Sequence, residues 1–129
     1  MSWQVVFHKD FAPEFAALSA NVQDELLAHA ILLGDYGPDL GRPTVDTLKG
    51  SKHGNMKELR FRRGKQVWRV AFAFDPTRQA VLLVAGDKAG ADQRLFYKRL
   101  IEKADGRLTL YLSELNARLK ESPDGKKTR

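Results

Sequence analysis

Residues 56–86 hold three strand-like runs separated by two short turns, and this pattern constrains the fold more than any other. Met56–Arg62, Val67–Phe74 and Ala80–Gly86 are rich in β-branched, aromatic and other apolar residues. Arg63-Gly64-Lys65-Gln66 and Asp75-Pro76-Thr77-Arg78 join them. Parallel neighbours need a crossover of roughly a dozen residues or more, so connections this short imply an antiparallel meander.

Alternation within the meander assigns side chains to faces. Leu59 and Phe61 share one face with Trp68, Val70, Phe72 and Phe74, which is the face that a core would take. Glu58, Arg60 and Arg62 then fall on the other face, together with Arg69, Ala71 and Ala73. Matching the apolar sets pairs Arg62 with Val67 and Arg60 with Arg69. Directly opposed like charges destabilise a sheet. The reading expects a shallow, open floor of small residues with a basic rim, suited to phosphate.

The remaining sequence supplies the cover. Trp3–His8 reads as a first strand. Asp10 precedes a short helix with Phe11, Phe15 and Leu18 on one side. A second helix carries Val22, Leu26, Ala30 and Leu33 as a stripe and ends at Gly34–Gly37. Two helices this close form an antiparallel hairpin. A loop is expected from Gly37 to about Asn55. A long helix begins near Asp92, with Tyr97, Ile101, Ala104, Leu108, Tyr111 and Leu115 as its apolar stripe. Gly106 is a candidate bend within it. The expected fold class is α+β, ordered β-αα-βββ-α, with helices on one face of a small antiparallel sheet. Residues 1–118 form the single domain, and 119–129 a disordered basic tail.

Charge is unevenly distributed along the chain. The net charge of +6 divides into −5 over residues 1–48, +7 over 49–74 and +4 over 75–129. A change of sign this sharp points to a basic face for a polyanion. With no cysteine, neither a disulfide framework nor a thiolate metal site is possible. His8, His29 and His53 lack metal-ligand spacing, no phosphate-binding glycine loop follows a strand, and no serine elbow occurs. The chain has neither a bilayer-spanning apolar run nor a basic-then-apolar leader, so it is expected in the cytoplasm, without a cofactor or membrane contact.

Lys57-Glu58-Leu59-Arg60, Trp68-Arg69-Val70 and Leu82-Leu83-Val84-Ala85-Gly86-Asp87-Lys88 carry a family resemblance by their order and spacing. Over residues 3–115 the chain resembles the RelE/ParE superfamily of bacterial type II toxins, and most of all its HigB-type branch. This resemblance implies a ribosome-dependent, metal-independent mRNA endonuclease that blocks translation by cutting mRNA in the ribosomal A site. It also implies a cognate antitoxin, of the helix-turn-helix, HigA-like kind. ParE-like members of the same fold inhibit DNA gyrase without being enzymes, and that alternative stays open because fold does not decide function.

RNA cleavage through the 2′-hydroxyl requires phosphorane stabilisation and proton transfer. Guanidinium groups suit the first task. Arg60, Arg62 and Arg69 match basic sheet positions of the RNA-cleaving relatives, and Arg69 is the leading candidate for transition-state stabilisation. The candidates for proton transfer or stacking are His53, an imidazole just before the strands, Asp87 and Lys88 after the last strand, and Tyr97. The resemblance sets a tandem basic pair near Lys88, where this chain has Ala89 as the second residue. Lys57, Arg62, Arg63, Lys65 and Arg94 are candidate RNA contacts, whereas His29 reads as a helix-surface residue. The ordinary alternatives are arginines splayed into water, a loop histidine and a tyrosine packed in the core.

Overall fold

The computed structural model describes residues 2–121. Along the chain come β1 (Gln4–Phe7), α1 (Phe11–Ala16), α2 (Ala20–Tyr36), a 3-10 turn at Gly37–Asp39, β2 (Val45–Thr47), β3 (Lys57–Arg63), β4 (Gln66–Phe74), β5 (Gln79–Asp87) and α3 (Gln93–Glu121). The five strands lie in the order β1-β5-β4-β3-β2.

The meander forms in the expected register, with Arg62 opposite Val67, Arg60 opposite Arg69 and Leu59 opposite Val70. Its first turn is tighter than the four-residue connection expected, because β3 and β4 extend to pair Arg63 with Gln66. Gly64 takes a φ of 60° there, a left-handed conformation that side chains with a Cβ disfavour. Two features lie outside the expectation. β1 pairs with β5 in parallel, so the sheet is mixed. The connection expected to be loop contains β2, which pairs with Lys57–Leu59 at the far edge. A three-residue strand with the sequence Val-Asp-Thr is too short for its alternation to be distinguished from loop.

Helices cover both faces rather than one. On the first, Leu26 and Leu33 of α2 and Phe11 of α1 pack with Leu59, Val70, Phe72 and Leu82. On the second, Leu100, Ala104 and Leu108 of α3 pack with Met56, Ala71, Ala73, Val81 and Leu83. Each fully buried Leu or Phe contributes about 1.5–3 kcal/mol of transfer free energy. A register shift between Ala71 and Phe72 lets both Leu83 and Val84 join the α3 side. Ala71 and Ala73 are therefore not an open floor. They are completely buried, and their small size lets α3 approach the sheet closely.

Local chemistry sets the helix ends. The Ser19 hydroxyl accepts from Val22 N at 3.3 Å to cap α2. Gly37 closes the helix with a φ of 56°, and a Cβ there would meet the Trp3 ring at 2.4 Å. α3 runs unbroken through Gly106 to Glu121, so there is no bend at the glycine, and residues 119–121 of the expected tail are helical. The rest of that tail lies outside the described residues. Among the described residues, no helix is long and apolar enough to cross a membrane.

Candidate nucleic-acid interface

The cation cluster begins with the opposed pair Arg60 and Arg69. Arg60 N–H donates to Thr44 C=O at 2.8 Å, so its amide faces away from β4. Arg60 and Arg69 are thus a non-hydrogen-bonded pair, the arrangement in which side chains on neighbouring strands lie closest. Their repulsion is offset on each side. Arg60 Nη1 lies 3.9 Å from Asp46 Oδ2, and Arg69 Nε lies 3.5 Å from Glu58 Oε1.

Arg69 does not splay into water. Its side chain is 6% exposed and that of Glu58 8%. Arg69 Nε donates to the Tyr97 hydroxyl at 3.2 Å, and Nη1 to the Trp68 carbonyl at 3.0 Å. The Tyr97 hydroxyl donates in turn to Glu58 Oε1 at 2.9 Å. Glu58, Arg69 and Tyr97 form a closed triangle, and a satisfied polar network of this kind holds each member in one orientation. Burial and the bond to Glu58 raise the Tyr97 pKa, which keeps the phenol protonated. The ring of Tyr97 also packs against the α3-side core, so it serves both the core and the site.

Lys88 completes the group. Its ammonium lies 5.6 Å from the centre of the Tyr97 ring and donates to Gln93 Oε1 at 2.8 Å. Burial lowers its pKa, and the charges of Arg69, Arg60 and Arg62 push the same way. Arg62 is exposed at the end of the arginine face. A cleft of about 440 Å³ runs from Arg69, Arg60 and Arg62 around the β3 edge to Pro43, Thr44, Phe61 and His29. Beyond Tyr97, a second hollow of about 390 Å³ is lined by Arg42, Asp46, Thr47, Lys49 and Glu58.

Other expected site residues lie elsewhere. His53 Nε2 pairs with Thr109 Oγ1 at 2.9 Å. Thr109 is three turns beyond Tyr97 on α3, or about 18 Å at about 1.5 Å per residue. The imidazole therefore belongs to the clamp between the 48–56 loop and α3, where Asp105 also bonds Ser51 and Lys52 N. Asp87 is occupied structurally, its Oδ1 accepting from Val67 N at 2.8 Å and Ala89 N at 3.0 Å. Lys57 falls on the α2 side of β3 by alternation, away from the arginines. Arg63 lies 3.9 Å from Glu25, and exposed Lys65 occupies the β3–β4 turn. Arg94 is exposed in the first turn of α3.

Sequence reasoning passed over two residues. Glu58, read only as a neighbour of the arginines on the non-core face, anchors both Arg69 and Tyr97. His29 stacks on Phe61 with ring centres 5.2 Å apart and lines the arginine cleft. Its Nδ1 lies 2.8 Å from Glu25 C=O. A carbonyl only accepts, so Nδ1 carries a proton in this contact. An α2 stripe drawn from apolar residues alone could not reveal this placement.

Comparison with known proteins places the chain in a family. The family described as phage-derived protein Gp49-like matches residues 13–109. The toxin candidate HigB3 of Mycobacterium tuberculosis is 44% identical over 99 residues, which is 77% of this chain and 84% of that one. The toxin candidate HigB2 of the same organism is 47% identical over 92 residues, covering 70% of this chain but 45% of the relative, so this chain spans less than half of that relative's length. A solved structure of the E. coli toxin RelE in its free state, in a doubly substituted form, superposes with a TM-score of 0.57. That likeness covers 80% of this chain and 97% of RelE at 12% identity, and so concerns the fold alone. The chain belongs to the Gp49-like, HigB-type family.

Proposed function

We propose that this chain is the toxin of a type II toxin–antitoxin pair and cleaves mRNA in the ribosomal A site without a metal ion. The observation that carries the reading is the opposed Arg60–Arg69 pair, with Lys88 and Tyr97 against it. The fold gains nothing from setting two guanidinium groups side by side, whereas a phosphodiester passing through five-coordinate phosphorus gains a great deal. Membership of the HigB-type branch supports it.

The chemistry assigned to these groups balances. The 2′-oxygen attacks phosphorus, and the bond from phosphorus to the 5′-oxygen breaks. Arg69 and Arg60 hold the non-bridging oxygens and stabilise the added charge. Lys88, whose pKa is lowered by burial and by its cationic neighbours, protonates the leaving 5′-oxygen. The Tyr97 hydroxyl takes the proton from the 2′-hydroxyl while passing its own to Glu58, to which it already donates. Arg62 and His29 continue the contact surface around the β3 edge.

Sequencing RNA 5′-ends after brief expression tests the reading. New ends within translated codons, which disappear with Arg69→Ala, are expected. Intact transcripts accompanied by DNA damage would instead select gyrase inhibition.

A further inference from the structure

Glu58 uses half of its carboxylate. Oε1 accepts from the Tyr97 hydroxyl and lies against Arg69 Nε. Oε2 accepts no hydrogen bond among the described residues, although the side chain is only 8% exposed. A carboxylate oxygen buried this deeply ordinarily has a donor. Nor is Oε2 sealed in. Among the described residues, the only side-chain polar atom both closed off from solvent and without a partner is His8 Nε2. Oε2 therefore opens into the hollow of about 390 Å³ beyond Tyr97, which Glu58 lines.

This hollow is not a bare anion site. Asp46 stands directly opposite Glu58 on β2, and two carboxylates side by side repel a phosphate as well as each other. Asp46 is already committed. Its Oδ1 accepts from Thr47 N at 2.8 Å, and its Oδ2 lies between Arg42 at 3.7 Å and Arg60 at 3.9 Å. Leu48 supplies an apolar wall. The cations are outermost. Arg42 and Lys49 are exposed, and Lys49 is in no ion pair among the described residues. The floor suits a neutral group that bears a donor, and the rim suits a phosphate. Together they match the make-up of one nucleotide.

We propose that the hollow seats the base of the nucleotide that carries the attacking 2′-hydroxyl, and that Glu58 Oε2 accepts from the exocyclic amino group of that base. This rests on the nuclease reading above, in which Tyr97 takes the proton of that hydroxyl. Tyr97 donates to Oε1, so the two oxygens of one carboxylate address the sugar and the base of one nucleotide. Adenine, cytosine and guanine each carry an exocyclic amino group. Uracil carries none, and its carbonyl would set an acceptor against an acceptor. A site built around a hydrogen bond rejects a partner that cannot make it, because the buried polar group stays unpaired. Arg42 and Lys49 hold the phosphate on the 5′ side of this nucleotide, a contact that carries no base information. Glu58 thereby determines specificity as well as receiving a proton.

Exchanging cytidine for uridine at the nucleotide just 5′ to the cut tests the proposal, since it replaces the amino group with a carbonyl. Two short oligoribonucleotides that differ only there, each with a 2′-deoxy sugar at that position to block cleavage, are compared in binding to the full chain. The cytidine form is expected to bind at least about tenfold more tightly. Glu58→Gln can turn either a donor or an acceptor to the base, so it should bring the ratio to within about twofold. Arg42→Ala combined with Lys49→Ala should weaken both oligomers alike and keep the ratio. Equal binding of the two oligomers, no measurable binding, or a ratio that survives Glu58→Gln would overturn the proposal. The same exchange in a ribosome-bound message should slow cutting by a similar factor. Cutting without this base preference would sink the subsite and leave the nuclease reading standing, whereas binding preference without cutting would do the reverse.

Discussion

Arg69 is buried and is also the proposed stabiliser of the transition state, and the two roles can be tested directly. Its Nε and one amino group are committed to Tyr97, Glu58 and Trp68, which orients the rest of the guanidinium along the cleft. Arg69→Ala should reduce cleavage by about 10²–10³-fold. Arg69→Lys should not restore it, because an ammonium cannot hold Tyr97 and a phosphate in one plane; rates on a ribosome-bound message measure both. Glu58→Ala should cost about 3–5 kcal/mol in denaturant unfolding by leaving a buried cation uncompensated. Glu58→Gln keeps a hydrogen-bond acceptor and should unfold later than Glu58→Ala, yet it should cleave poorly without a carboxylate to receive the Tyr97 proton. Lys88 gives a pH test. Burial and the neighbouring arginines lower its pKa, so the protonated acid should be lost at lower pH than for an ordinary lysine. The cleavage rate should fall as pH rises through that value, and Lys88→Arg should abolish the fall.

The secondary-structure elements that carry these residues are joined by contacts with their own signatures. α1 and α3 are tied by Glu14, whose carboxylate receives both Arg107 amino groups at 2.9 and 2.6 Å. Those bonds hold the Glu14 pKa below the ordinary 4.5. A depressed carboxylate contributes its full stability above the unfolded value and loses it as pH falls through the folded one. Thermal melts of Glu14→Gln and the parent should therefore differ at neutral pH and converge in acid. The difference should stay within about 1 kcal/mol, since the glutamate is partly solvent-screened. β5 and α3 meet at Gly86, where an added Cβ would lie 2.9 and 3.1 Å from Phe96 ring carbons. Gly86→Ala should destabilise by about 1–3 kcal/mol through overpacking, read as a lower Tm.

At the scale of the whole molecule, charge segregation sets the response to salt. Arg60, Arg62, Arg69 and Lys88 cluster on one side of a chain whose first 48 residues are net acidic. About four phosphate contacts on single-stranded RNA predict a slope near −3 in a plot of log affinity against log salt, at about −0.7 per contact. Arg62→Ala should reduce the slope by about one contact with little loss of fold, because the residue is exposed. Filter binding from low to moderate salt measures this.

Strand alternation, the Arg60–Arg69 pairing and the apolar stripe of α3 were legible in the sequence because each is local. A strand repeats every two residues and a helix every 3.6, so a short window fixes which side chains share a face. What covers a face is a long-range matter. The sequence could not show that α3 seals Ala71 and Ala73, since nothing in a meander specifies whether a helix far along the chain packs above or below it. For the same reason His53, next to the strands in sequence, joins Thr109 far from the arginines, whereas His29, thirty residues before them, lines their cleft. Burial makes Glu58 the anchor of Arg69 and Tyr97. The sequence by itself determined which face would be cationic. Only tertiary packing decided which cations are held still, because orientation comes from partners brought together across the fold.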